Sequence, residues 1–337
     1  MEVSKFLFPI LLLAVTGIEN ARILAYFPTP SISHQVVFRP LTQALAKRGH
    51  EVIVVTTDPA FLPGKAPANL TEIDVHDVSY NIWRKLLKYY TGKKEDLILQ
   101  VTLTFNSMAN IFDEQMETPQ MQKMLENKDK TYFDLLLLEV WSRPLMGIAE
   151  KFNAPVIVIS SFGAVPIQYS LFGAPMHPLL YPTPGMQRVY NLSLFEKGFE
   201  FLKYLGLQYL VKSTEGYDET ITKKHFGVQN FLNLRDRVKM MFLNEHSIWA
   251  DNRPVPPSIL YIGGIYQAES KELPQDLRTY LDYSKQGVIY VSFGTNVLPS
   301  LLSPEKIECM TKVFSKLPYN VLWKWDEDVL PGRIILK

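Results

Sequence analysis

The chain has 337 residues, room for roughly two domains at about 100–200 residues each. Its 47% hydrophobic and 20% charged residues are those of a folded globular protein, and a net charge of +1 gives no reason to expect a nucleic acid or another polyanion as partner. The one cysteine, Cys309, excludes an internal disulfide framework and a thiolate metal cage; it is expected to be a small buried apolar residue on a helix.

Lys5 precedes the apolar run FLFPILLLAV, and small residues follow at Thr16 and Gly17. Residues 1–20 therefore read as a signal peptide, too short for a membrane span of about 20 apolar residues. No other window is apolar enough to suggest a transmembrane segment. RILAYF (22–27) is a strand closed by Pro28 and Pro30. His34, Phe38, Leu41 and Leu45 follow at helical spacing, with Pro40 inside the stretch and Gly49 as its C-cap. EVIVVTT (51–57) is a continuous apolar strand, so residues 22–57 form a βαβ unit and imply a parallel sheet.

The pattern recurs further on. Residues 82–126 read as mainly helical. FDLLLLE (133–139) is a strand, 142–152 a helix and APVIVIS (154–160) a strand. A proline-rich stretch, 161–190, reads as a long structured loop over a cavity, and 193–226 returns to helix. MMFLN (240–244) and ILYIGG (259–264) are short strands that close an N-terminal domain, residues 21–269. Residues 270–286 read as a linker. A second βαβ unit opens at 287: GVIYVSFGT (287–295), a helix over 303–316 and NVLWKW (320–325). A doubly wound domain needs more strands than these, so residues 287–337 are expected to be only the start of a second domain. The fold class is α/β with Rossmann-like parallel sheets.

Several residues stand where chemistry is usually done. His34 follows a strand and opens a helix, at the carboxyl end of a parallel sheet, where ligands bind; a histidine there can act as a general base. Glu139 ends the strand FDLLLLE at the same sheet edge, and a carboxylate there can orient a histidine and stabilise its protonated form. A His34–Glu139 pair would deprotonate a hydroxyl. No G-x-S-x-G element is present, which speaks against a triad hydrolase. The turn VSFGTN (291–296) can present backbone N–H groups to a phosphate, although it lacks the P-loop lysine and the three glycines of a dinucleotide fingerprint. Asp326-Glu327-Asp328 is either a cation-holding triplet or an acidic surface loop, and the surface loop is the expectation. The six histidines show no ligand spacing, so no metal is expected. The sequons at Asn69 and Asn191 agree with entry into the endoplasmic reticulum.

Four ordered stretches, ILAYFPTPSISHQVVFRPLTQALAKRGHEVIVVTTDP, FDLLLLEVW, IYVSFGTN and VLWKW, resemble the animal UDP-glucuronosyltransferases and UDP-glucosyltransferases, the insect members most closely. The resemblance runs over residues 1–333. It implies a two-domain GT-B architecture in which the N-terminal domain binds a small lipophilic hydroxyl acceptor and the C-terminal domain a UDP-sugar. It also implies metal-independent, inverting transfer without a cofactor, from UDP-glucose or UDP-glucuronic acid as co-substrate. His34 matches the catalytic base of the family and Glu139 its helper acid, more often an aspartate. Ser292, Gly294 and Thr295 match its phosphate-contacting turn, and Lys324 falls where relatives often carry arginine. The family's W-x-P-Q and T-H-G-G-x-x-S stretches are not among these residues, so the chain is expected to be inactive alone. The other reading is a non-catalytic acceptor-binding fragment, or a homo- or hetero-oligomeric partner of full-length relatives. The resemblance places the chain in the lumen of the endoplasmic reticulum as a glycoprotein of detoxification.

Overall fold

The computed structural model describes residues 20–90, 97–181, 190–228, 235–250, 253–267, 272–330 and 333–334; the expected signal peptide lies outside them, apart from Asn20. The chain runs β1 (Arg22–Phe27), α1 (Ile32–Lys47), β2 (Glu51–Thr56), β3 (Leu70–Asp74), α2 (His76–Tyr90), α3 (Leu97–Met116), α4 (Pro119–Leu125) and β4 (Leu135–Glu139). A 3₁₀ turn at Arg143–Gly147 leads into α5 (Ile148–Lys151) and β5 (Val156–Ser160). Then come α6 (Pro166–Ser170), α7 (Leu194–Ser213), α8 (Glu215–Phe226), β6 (Val238–Leu243) and β7 (Ile259–Tyr261). Beyond these lie α9 (Gln275–Tyr283), β8 (Val288–Val291), α10 (Pro304–Phe314), β9 (Asn320–Trp323), and the short antiparallel pair β10 (Val329–Leu330) and β11 (Arg333–Ile334).

Seven strands form one parallel sheet in the order β3-β2-β1-β4-β5-β6-β7. Its central strands are apolar on both faces because both are covered. Leu24, Tyr26, Leu136 and Leu138 pack on one side with Phe112 and Met116 of α3; Ile23, Ala25, Phe27 and Val54 pack on the other with Val37 and Phe38 of α1. The sheet winds in opposite directions from β1, to β2 on one side and β4 on the other. Such a reversal leaves a crevice at the carboxyl ends of those strands.

Local details differ from the sequence reading where burial, not periodicity, decides. β3 (LTEID) has no apolar run and is found only because its backbone completes the edge of the sheet beside β2. The helix expected over 142–152 begins as the 3₁₀ turn. The helix expected over 193–226 divides at Thr214. Ser193 starts α7 with a capping box: its hydroxyl accepts from Glu196 N–H at 3.3 Å, and the Glu196 carboxylate accepts from Ser193 N–H at 2.7 Å. Cys309 is exposed, not buried. α10 buries Ile307, and two helical steps of 100° carry Cys309 to the opposite side. β8 and β9 form a separate parallel pair. In the region described after residue 271 only Ser284, Pro299 and Ile307 are buried, and Tyr290 on β8 is 64% exposed.

Phe112 is fully buried, its ring 5.8 Å from that of Tyr26 and 6.4 Å from that of Phe226. Phe112→Ala should lower stability by about 3–5 kcal/mol, read as a lower denaturation midpoint in urea with an unchanged slope.

Candidate active site

Three neighbouring strands of the sheet, β1, β4 and β5, end at the crevice, and each delivers a polar group to it. His34 lies in the first turn of α1, beyond the short loop that follows β1. Glu139 is the last residue of β4, and its side chain has no exposure to solvent. His34 Nδ1 stands 2.8 Å from Glu139 Oε1. The other carboxylate oxygen, Oε2, accepts from the Thr29 backbone N–H at 3.1 Å. An ionised carboxylate can only accept. A neutral imidazole that bonds to such a carboxylate carries its proton on Nδ1 and leaves the Nε2 lone pair free. The His34 side chain is 17% exposed and lines a cavity.

The loop that carries Thr29 is held by buried amides. Gln35 donates to the carbonyls of Phe27 at 3.0 Å and Thr29 at 2.9 Å, and Gln115 donates to that of Pro28 at 3.0 Å. The Thr57 hydroxyl also donates to the Thr29 carbonyl, at 3.0 Å. Pro28 and Pro30 have no N–H to satisfy. The loop can thus be buried with the carbonyls of Phe27, Pro28 and Thr29 paired, and Thr29 N–H stays aimed at Glu139.

The cavity beside His34 holds about 360 Å³ and is almost wholly apolar. α3 contributes Phe105 and Met108, α7 contributes Tyr204 and Leu207, and the segment after β5 contributes Phe162, Val165 and Ile167. Phe162 stacks on Trp141 with centroids 4.5 Å apart and meets the His34 ring edge-on at 5.4 Å. Trp141 is pinned by its indole N–H, which donates to Ser160 Oγ at 3.1 Å. Val165 and Ile167 fall within the expected loop over a cavity, which contains the short helix α6.

Behind Glu139 a smaller space of about 90 Å³ is lined by Glu139, Arg143, Glu215 and Arg235 among others. Arg143 reaches Asp218 at 2.6 Å and donates to Thr214 Oγ1 at 2.6 Å and to the Val211 carbonyl at 2.8 Å. Burial pushes the Asp218 carboxyl up to about 7; Arg143 opposes that shift and Glu215 adds to it. Burial also lowers the affinity of the Arg143 guanidinium for its proton. This network ties the residue four positions after Glu139 to α7 and α8.

The three residues expected to contact a phosphate lie on one turn, and Lys324, expected near the donor, meets it. Ser292, Gly294 and Thr295 are exposed in the segment after β8. Gly294 has φ of 80°, and its N–H donates to Ser292 Oγ at 3.3 Å. Lys324 Nζ donates to the Gly294 carbonyl at 3.0 Å, so it braces the turn. Asn296 donates to Ser31 Oγ at 3.2 Å. That bond brings the turn to the N-cap of α1, three residues before His34. Asp326 accepts from the Ser300 N–H at 3.0 Å and from its hydroxyl, so it caps a turn in the surface loop. Asn69 and Asn191 are both exposed. The one cluster of metal-ligating type among the described residues is Asp113, Glu117 and His225. Lys224 Nζ meets its charge at 2.8 Å from Asp113 and 2.9 Å from Glu117.

Thr29, Trp141, Ser161 and Phe162 were not singled out from the sequence. Ser161 Oγ also lies 2.8 Å from His34 Nδ1. The same rule that pointed to His34 and Glu139, a polar residue at the carboxyl end of a parallel strand, applies to Ser161 after VIVIS.

Residues 23–334 match the UDP-glucoronosyl and UDP-glucosyl transferase family, and the chain belongs to it. It is 32% identical over 321 residues to the ecdysteroid UDP-glucosyltransferase of Mamestra brassicae nuclear polyhedrosis virus, covering 90% of this chain and 60% of the viral one. It is 31% identical to the enzyme of the same name from Lymantria dispar multicapsid nuclear polyhedrosis virus, covering 95% and 65%, and 29% identical to UDP-glycosyltransferase UGT4 of Dactylopius coccus, covering 94% and 63%. The chain thus spans less than two thirds of the length of these relatives. The crystal structure of the glycotransferase of kitacinnamycin superposes with a TM-score of 0.52 at 15% identity, over 94% of this chain and 68% of that one. Spinosyn forosaminyltransferase SpnP gives 0.50 at 15%, over 92% and 68%. These likenesses establish the GT-B glycosyltransferase fold.

The buried Asp218 sets a pH dependence. In the unfolded chain its carboxyl ionises near 3.9, and in the folded chain near 7. Between these values the folded state holds more protons, so this residue makes stability fall as pH rises from about 4 to 7, and flatten above. Asp218→Asn should remove that slope, measured as denaturation midpoints across pH 4–8.

Proposed function

We propose that this chain supplies the acceptor-binding domain of a UDP-glycosyltransferase, residues 21–269, a linker, 270–286, and part of the donor-binding domain, 287–337. The transferred group is a hexosyl or glucuronosyl unit from UDP-glucose or UDP-glucuronic acid. The acceptor is a small lipophilic molecule with a hydroxyl. The observation that carries this reading is the His34–Glu139 pair, 2.8 Å apart at the edge of an apolar cavity of about 360 Å³.

In this mechanism the apolar walls take the body of the acceptor and leave its hydroxyl against His34 Nε2. Nε2 accepts the hydroxyl proton as the oxygen attacks the anomeric carbon. The bond from that carbon to UDP breaks on the opposite face, and UDP departs with the electron pair, so the configuration inverts. The imidazolium that forms keeps its Nδ1–H on Glu139, whose negative charge stabilises it. Ser292, Gly294 and Thr295 face the phosphates, with Lys324 bracing their turn. No metal or cofactor takes part. The names of the viral relatives make ecdysteroids one acceptor class to test.

The decisive assay supplies UDP-glucose or UDP-glucuronic acid, with phenols and an ecdysteroid as acceptors, to a chain extended by the remaining donor-binding portion of a family member. His34→Ala should reduce transfer by about 10²–10⁴-fold with the fold intact. Activity within twofold of the parent would remove the base assignment. Acceptor binding without UDP binding by the 337-residue chain would favour a binding protein.

Residues 1–20 are proposed to direct the chain into the lumen of the endoplasmic reticulum and to be removed there. Asn69 and Asn191 should then carry glycans. Expressed in insect cells, the chain should shift in mobility on glycosidase treatment, and Asn69→Gln with Asn191→Gln should abolish the shift.

A further inference from the structure

His34 Nδ1 has two oxygen neighbours at the same distance: Glu139 Oε1 at 2.8 Å and Ser161 Oγ at 2.8 Å. They come from different strands, β4 and the residue after β5. Only one proton is available on that nitrogen. The carboxylate cannot donate, so its presence fixes the proton on Nδ1. The Ser161 hydroxyl can donate or accept, so it does not choose the tautomer. Beside an Nδ1–H it accepts.

A single hydrogen bond constrains one distance, whereas the histidine side chain has two torsions. The packing around His34 does not supply the missing constraint on every side. One side of the ring faces the 360 Å³ cavity, and the aromatic neighbour on its edge, Phe162, is itself 47% exposed. Two acceptors on separate strands define the plane of the ring as well as its reach. Ser161 is suited to that task because it is itself fixed. It is 7% exposed, and its carbonyl accepts from the Asn244 amide at 2.8 Å, just beyond β6.

We propose that Ser161 is a positioning residue for His34: Glu139 sets which ring nitrogen carries the proton, and Ser161 sets the orientation in which Nε2 faces the cavity. The proposal rests on the reading of His34 as the base, but its test does not depend on sugar transfer.

The experiment is nuclear magnetic resonance on the full chain, with ¹⁵N and ¹³C labelling of the imidazoles and His34 assigned by its loss in His34→Gln. The ¹⁵N shifts report the tautomer, and ¹³C relaxation of the ring reports its order. The parent should show Nδ1–H in a rigid ring, with an order parameter of about 0.85. In Ser161→Ala the tautomer should stay Nδ1–H while the order parameter falls below about 0.6. Ser161→Thr, which keeps the hydroxyl, should restore the rigid ring. In Glu139→Gln the tautomers should mix. If Ser161→Ala does not fold, Ser161→Cys, with its weakly accepting sulfur, serves for the same comparison. An Nε2–H tautomer in the parent would overturn the proposal. So would an unchanged order parameter in the folded alanine or cysteine variant, or a switch of tautomer there. A chain that shows the expected pattern and yet transfers no sugar after extension would remove the catalytic reading and leave the positioning intact.

Discussion

A buried carboxylate must be given hydrogen-bond donors, and the loop after β1 and the start of α1 are arranged to meet that need for Glu139. An unpaired charge there would cost several kcal/mol. The donors are the Thr29 N–H and the His34 Nδ1–H. The first exists because a loop bounded by prolines is held in place by Gln35, Gln115 and Thr57. The second exists because the same short loop leads from β1 straight into α1, whose first turn carries His34. Both arrive because β1 and β4 are neighbours, paired from Ile23 with Leu135 to Tyr26 with Leu138.

The same constraint separates the two sides of the imidazole. The side bearing Nδ1 is buried, polar and saturated with oxygen partners. The other faces an apolar cavity in which a hydroxyl finds few competitors for a hydrogen bond. An electrostatic interaction is stronger in such a place than in water, which suits the role proposed for His34, accepting charge on one nitrogen and having it stabilised through the other. The aromatic wall of Trp141 and Phe162 adds shape to this side, and the Ser160 hydroxyl secures the wall by accepting from the Trp141 indole.

Much of the fold was legible in the sequence. The apolar runs RILAYF, EVIVVTT, FDLLLLE and APVIVIS are buried on both faces, and strands of that kind belong to parallel sheets. Glu139 was legible because it ends such a run, and His34 because it opens the helix that follows one. What could not be read was carried by contacts across the sheet. LTEID is a strand only because β2 offers an edge. Thr29 matters through a backbone N–H that no side-chain pattern reveals. Ser161 matters because β5 lies beside β4, and Cys309 is exposed because its helix has little to pack against on that side. The break at Thr214 reflects the position of Arg143, whose guanidinium binds that threonine.

The residues that meet at the base are far apart along the chain: 105 positions separate His34 from Glu139, and 127 separate it from Ser161. Contacts so distant in sequence carry a loop-closure entropy that must be met before the contact rewards it. While β4 is undocked, the imidazole has neither oxygen partner, and a partly folded chain would present an ordinary solvated histidine. The oxygen partners of His34 are therefore supplied only by the native order of strands in the sheet. A chain whose central strands are not yet docked lacks the juxtaposition of His34, Glu139 and Ser161 on which the proposed chemistry rests.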